Sequence, residues 1–238
     1  MCLTANDPTI TLSVITGEFY SCTASTRGGG IFVQGTGEVT VKETLFYKGI
    51  AQTNSGSGGG GIDLWSLKKP PHLEGSSFIQ CKTADDGGGV GLWSSPSFQE
   101  TCIISCRFVQ CEINHTTSSD GGSLMVWNSN AAIGCSNTLF VDSHSELQGG
   151  AVTHYIYTNA SHNSSIPLFY FCFFKNNSAQ SKPGNDVYFQ EWKPTQPFHH
   201  CFSLTATNRV YDNKNSATHN NDWLSQTVYL NQLTNNKY

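Results

Sequence analysis

Phe78-Ile79-Gln80-Cys81-Lys82-Thr83-Ala84-Asp85-Asp86-Gly87-Gly88-Gly89-Val90-Gly91-Leu92-Trp93 holds both halves of a motif that recurs about every 30 residues along most of the chain. One half is a glycine pair followed by a small or branched residue. Its copies are Gly29-Gly30-Ile31, Gly60-Gly61-Ile62, Gly88-Gly89-Val90, Gly121-Gly122-Ser123 and Gly149-Gly150-Ala151. The other half lies nine to fourteen residues upstream, a Phe with a small or polar residue three positions later. It reads Phe19/Cys22, Phe46/Gly49, Phe78/Cys81, Phe108/Cys111, Phe140/Ser143 and Phe174/Asn177. A fixed period of this length marks a solenoid, in which each repeat covers the open face of its neighbour.

Within a repeat the apolar residues alternate. Ile31 and Val33 flank Phe32, Ile62 and Leu64 flank Asp63, and Val90 and Leu92 flank Gly91. That period of two predicts short strands with one face inward. Strands at equal phase in successive repeats all run the same way, and parallel strands cannot be joined by hairpins. The chain must close a circuit and return one strand spacing further on, with the right-handed crossover preferred. The expected fold is therefore all-β, a right-handed parallel β-helix of about six coils. The Phe copies should stack inside as a ladder, and the glycines should serve corners or close approaches of neighbouring coils. Residues 1–16 read as an N-terminal edge strand or cap, 17–189 as the repeats, and 190–238 as an irregular last coil and C-terminal cap. The rival, an antiparallel sandwich or propeller, lacks the turn dipeptides it needs.

Composition agrees with many short strands joined by turns: 23 Gly and only 13% charged residues among 238. The formal charge of −4 offers no basic face for nucleic acid. No apolar run approaches the ~20 residues that span a bilayer, and no signal peptide is visible. Four sequons, at Asn114, Asn159, Asn163 and Asn176, are candidate glycosylation sites of an exported protein, and repeats beginning so near Met1 suggest a segment of something longer. Nine cysteines leave one thiol over. Cys81 and Cys111 share a repeat phase, so they are expected as buried, reduced neighbours on adjacent coils.

The pairing of Gly-Gly-(Ala/Ile/Val) with Phe-x-x-Asn resembles the repeats of chlamydial polymorphic outer-membrane proteins, and of similar surface proteins of some protists. Gly149-Gly150-Ala151 and Phe174/Asn177 fit both motifs outright, and the likeness covers residues 17–189. The resemblance implies a β-helix of the pectin-lyase-like kind, displayed at a cell surface and used in adhesion. Its implied partners are surface glycans or host cell-surface proteins. The chain lacks the C-terminal run of alternating strands such proteins use for export.

Sites of chemistry are sparse. Asp85-Asp86 resembles the acidic pair of polygalacturonases, but the companion Gly-His-Gly and Arg-x-Lys are missing, and Asp before glycine is a turn former. Asp63, Asp85, Asp86 and Asp120 gather near one corner, where a calcium-assisted lyase would also need a basic residue. Cys102, Cys106, Cys111 and His115 lack zinc-site spacing, and His199-His200 reads as a polar turn. Neither a catalytic set nor a cofactor is expected. The most distinctive feature outside the motif is Trp65, Trp93, Trp127 and Tyr155, four or five residues after the second motif glycine. With Ile62 and Leu64 inward, Trp65 faces outward, so these rings are expected as an exposed column able to stack on sugars. The reading from sequence is a non-enzymatic repeat protein of a surface adhesin or scaffold, with a carbohydrate-binding or carbohydrate-cleaving β-helix as the alternative.

Overall fold

In a computed structural model, the chain is a parallel β-helix with no α-helix among the described residues. These are 3–5, 11–35, 37–52, 58–67, 69–94, 99–113, 120–128, 132–157, 169–180, 187–192, 202–206 and 210–214. One inner turn shows the plan: strands Val90–Ser94, Gln99–Ile104, Arg107–Val109 and Glu112–Ile113 follow one another around the circuit. Every strand pairing is parallel, and each joins a strand to its counterpart one turn away. The strands after the glycines build an eight-stranded sheet and the shortest strands a six-stranded one. The two middle positions merge into a twelve-stranded sheet because Phe169–Lys175 spans both. Four inner turns, from Ile31–Gln34 through His144–Ser145, carry all four strand positions and have a neighbour on both sides. That count differs slightly from the six coils expected.

The core is a ladder. Phe19, Phe46, Phe78, Phe108, Phe140 and Phe174 stack in sequence at 4.8–4.9 Å between ring centroids, with planes within 9° of parallel. All but the outermost, Phe19, are fully buried. Ile31, Ile62, Val90, Leu124 and Val152 form a parallel column on the glycine-motif sheet.

The register resolves an irregularity of the motif. Ile62 pairs with Val90, Val90 with Leu124 and Leu124 with Val152. Gly121 and Gly149 therefore align with Gly87, one place earlier than the motif alignment from sequence had them. The unit is a triplet, 28–30, 59–61, 87–89, 121–123 and 149–151. Its three places obey different constraints. Gly28, Gly87, Gly121 and Gly149 have φ of +58° to +74°. At the middle place a Cβ on Gly88 would overlap the carbonyl oxygen of Gly122 one turn away. At the third place a Cβ on Gly89 would come within 2.8 Å of the Phe108 ring, yet Ser123 and Ala151 occupy the equivalent sites.

The corners themselves use few glycines. Thr16, Glu43, Gly75, Ser105, Asn137 and Phe171 form one left-handed row. Ser21, Lys48, Gln80, Gln110, Asp142 and Asn176 form another, all with φ near +50°. Beside the first row runs a hydroxyl and thiol ladder: Ser76 Oγ, Cys106 Sγ and Thr138 Oγ1 donate to Val41, Leu73 and Ile103 carbonyls of the preceding turn. Beside the second, Cys81 Sγ donates to Phe46 O and Cys111 Sγ to Phe78 O, and Asn177 Nδ2 donates to Phe140 O. Cys81 and Cys111 are buried free thiols on adjacent turns, as expected. Burial first, and then the neighbouring Cys81 thiol, holds the Cys111 thiol well above its usual pKa.

Candidate functional site

The outward face of the glycine-motif sheet carries the column singled out from sequence. Trp65, Trp93, Trp127 and Tyr155 occupy one register position. In triplet numbering all four lie at the same distance after the third residue, which removes the four-or-five ambiguity. Trp65 stacks on Trp93 and Trp93 on Trp127, each at 5.1 Å, and the Tyr155 ring lies 4.8 Å from Trp127, tilted by 49°. The exposed row expected from sequence is not what forms. The three indoles are half-buried, and Tyr155 is buried at 6% exposure. Neighbouring rings cover each other's faces because equal register sets them about one strand spacing, ~4.8 Å, apart. The outer face of Trp65 is covered by the Arg27 guanidinium, 3.8 Å from the ring centroid. Sugar stacking needs a free face, so the column presents only ring edges.

Beside the column lies a buried acidic ribbon. Asp85, Asp86 and Asp120 sit in the bends that lead into the triplets, and Asp63 stands on the sheet below them; all are buried. The Asp86 carboxylate accepts the Asp120 backbone N–H at 2.9 Å, tying one turn to the next. One turn further, Asp120 Oδ2 accepts hydrogen bonds from Gln148 Nε2 at 3.2 Å and from the Tyr155 hydroxyl. Desolvation, then the Asp120 charge, keeps Asp86 well above the carboxylate range. Desolvation, then Asp120, also raises Tyr155. Asp63 differs from the others: both its oxygens are buried without a hydrogen-bond partner. Burial pushes its pKa up to about 7 against the opposing pull of Arg27.

A second surface was not foreseen. Lys48, Ile50, Gln80, Lys82, Gln110, Glu112 and Asp142 line a groove of about 470 Å³ along the second corner row. Gln80 donates to Gln110 at 2.9 Å across one turn, and Lys82 pairs with Glu112. Strand alternation alone does not reveal such a groove, because Lys48, Gln80, Gln110 and Asp142 are corner residues and only Ile50, Lys82 and Glu112 stand on two-residue strands. Its sequence signal is a largely polar pair two and four positions after a Phe, as in Gln80/Lys82 after Phe78 and Gln110/Glu112 after Phe108.

Of the remaining candidates, Asn176 is exposed on a left-handed corner, whereas Asn114, Asn159 and Asn163 lie outside the described residues. So do His115, His199, His200 and Cys201. Among the described residues no group of three His, Cys, Asp or Glu is placed to hold a metal ion. No described helix is long and apolar enough to cross a membrane. No family model, no curated protein and no solved structure matches the chain.

Proposed function

We propose that this β-helix is a non-enzymatic repeat segment of a cell-surface adhesin or structural scaffold, of the kind its glycine and Phe-x-x-Asn repeats resemble. The observation that carries the reading is where the chemically capable side chains spend their interactions. Asp86 holds the next turn's backbone, Asp120 holds Tyr155 and Gln148, and the indoles hold one another. Groups committed to joining turns are not poised for turnover. The groove along Gln80 and Gln110 is then the contact face for a surface glycan or cell-surface protein, since its polar walls repeat at one turn spacing.

The test is a glycan array and cell-binding assay of three proteins: the parent, a Gln80→Trp/Gln110→Trp variant that fills the groove, and a Trp65→Ala/Trp93→Ala/Trp127→Ala variant. Binding lost only in the groove variant supports the adhesin reading. Loss only in the triple Trp variant moves recognition to the column and favours the carbohydrate-binding alternative. Polysaccharide cleavage that disappears in Asp85→Asn would overturn the non-enzymatic reading.

A further inference from the structure

The Asp63 carboxylate is the one acidic group of the ribbon whose two oxygens both lack a hydrogen-bond partner while the whole side chain is removed from solvent. A buried charge in that state costs several kcal/mol unless it is neutralised or coordinated. Its surroundings depend on a glycine of the neighbouring turn. Asp63 pairs in register with Gly91, whose missing side chain would have pointed to the same outer face. Into that space turns the carbonyl oxygen of Gly58, which a Cβ on Gly91 would overlap. Asp63 Oδ1 lies 3.3 Å from the same point. A Cβ on Gly58 would in turn lie 3.6 Å from Asp85 Cβ and would overlap Thr83 Oγ1. The Gly58 carbonyl and Asp63 Oδ1 therefore meet beside Gly91, while Thr83 Oγ1 and the Asp85 Cβ lie beside Gly58 from the adjacent turn.

We propose that Asp63, Asp85 and the Gly58 carbonyl form a binding site for a hard divalent cation of calcium's size. Every donor is oxygen, the set mixes carboxylate with main-chain carbonyl, and the arrangement is irregular. Those features suit the six to eight flexible oxygen contacts of calcium better than the strict octahedron of magnesium. Side-chain carboxylates alone do not close a cage here, so main-chain oxygen and solvent complete the shell. Arg27 does not fill the role: its guanidinium lies on the Trp65 face, 5.6 Å from the Phe32 ring, and forms no hydrogen bond with Asp63. The cation would clamp Gly58 and Asp63 to Asp85 of the next turn. This site is independent of the adhesin reading and stands or falls apart from it.

The full chain, stripped with a chelator and dialysed, is melted with CaCl2, with MgCl2 and with NaCl of matched ionic strength. Calcium is expected to raise Tm saturably, by roughly 5–10 °C at a hundredfold excess over Kd. Asp63→Asn should melt higher than the parent without metal and show no calcium response. Terbium luminescence excited through Trp65, two residues from Asp63, should appear in the parent, be competed away by calcium and be lost in Asp85→Asn. That second readout decides the matter if Asp63→Asn does not fold. A calcium effect no larger than that of matched NaCl, a response in Asp63→Asn equal to the parent's, or terbium emission unchanged in Asp85→Asn would each overturn the site.

Discussion

Single residues in this molecule answer to the turn above and the turn below more than to their sequence neighbours. The middle glycine of each triplet is the sharpest case. Gly88→Ala would drive a methyl into the Gly122 carbonyl, and backbone on both sides leaves no direction for relief. We expect a loss of about 3 kcal/mol or more, in the range of severe overpacking. Gly89→Ala meets the edge of the Phe108 ring and the Ser123 carbonyl, both at 2.8 Å rather than the 2.2 Å at Gly88, and should cost about 1 kcal/mol, since Ser123 and Ala151 show that the site takes a Cβ. Urea unfolding of the two variants measures the difference, and equal losses would contradict it.

Asp63 adds a pH dependence at the same scale. Its folded pKa of about 7 stands above the ordinary 3.8, so between those values the folded state holds a proton that the unfolded state has released. Stability therefore falls as pH rises from about 4 to about 7 and levels off above, by an amount on the order of a few kcal/mol. Asp86 pushes in the same direction, Asp85 adds repulsion and Arg27 opposes it. Chelator-treated protein should show a lower urea midpoint at neutral pH than at pH ~5, and Asp63→Asn should flatten that slope.

At the scale of elements, two aromatic columns of opposite placement do similar work. The inner Phe column is continuous and dry, so Phe108→Ala removes two stacked contacts and opens a cavity, costing about 3–5 kcal/mol. The outer column is half-buried and should tolerate more: Trp93→Ala is expected to cost about 1–2 kcal/mol. Its clearer signature is spectroscopic, because stacked indoles couple and produce a split circular-dichroism band. Removing Trp93, the middle ring, should abolish that splitting, whereas Phe108→Ala should leave it in place.

For the molecule as a whole, the solenoid was legible from sequence because its period is carried by residues with no substitute. Phe at one phase and glycine at another betray the ladder and the close approach directly. What stayed hidden were features set by three-dimensional register. Beside Gly75, Asn137, Asp142 and Asn176, the left-handed corners are occupied by Thr16, Ser21, Glu43, Lys48, Gln80, Ser105, Gln110 and Phe171, residue types that give little sign of such a conformation in a sequence. Asp63 was readable as a strand residue near an acidic corner, but not as one fully removed from solvent. The Trp column was found, but alternation specifies a face and not what lies across it, so its half-burial and its Arg27 cover were out of reach.

The in-phase stacking of Ile79 on Val109 has a further consequence. Gln80 and Gln110 are 30 positions apart and occupy identical corners. A gene that lost the codons for Gln80 through Val109 would join Ile79 to Gln110 without disturbing a single ladder, because each rung would meet the next one of its kind. Unequal recombination between repeats would then alter the reach of the molecule by one rung at a time while leaving its cross-section untouched. Length in such a protein is free to drift or be selected, and the shape that a partner meets stays constant.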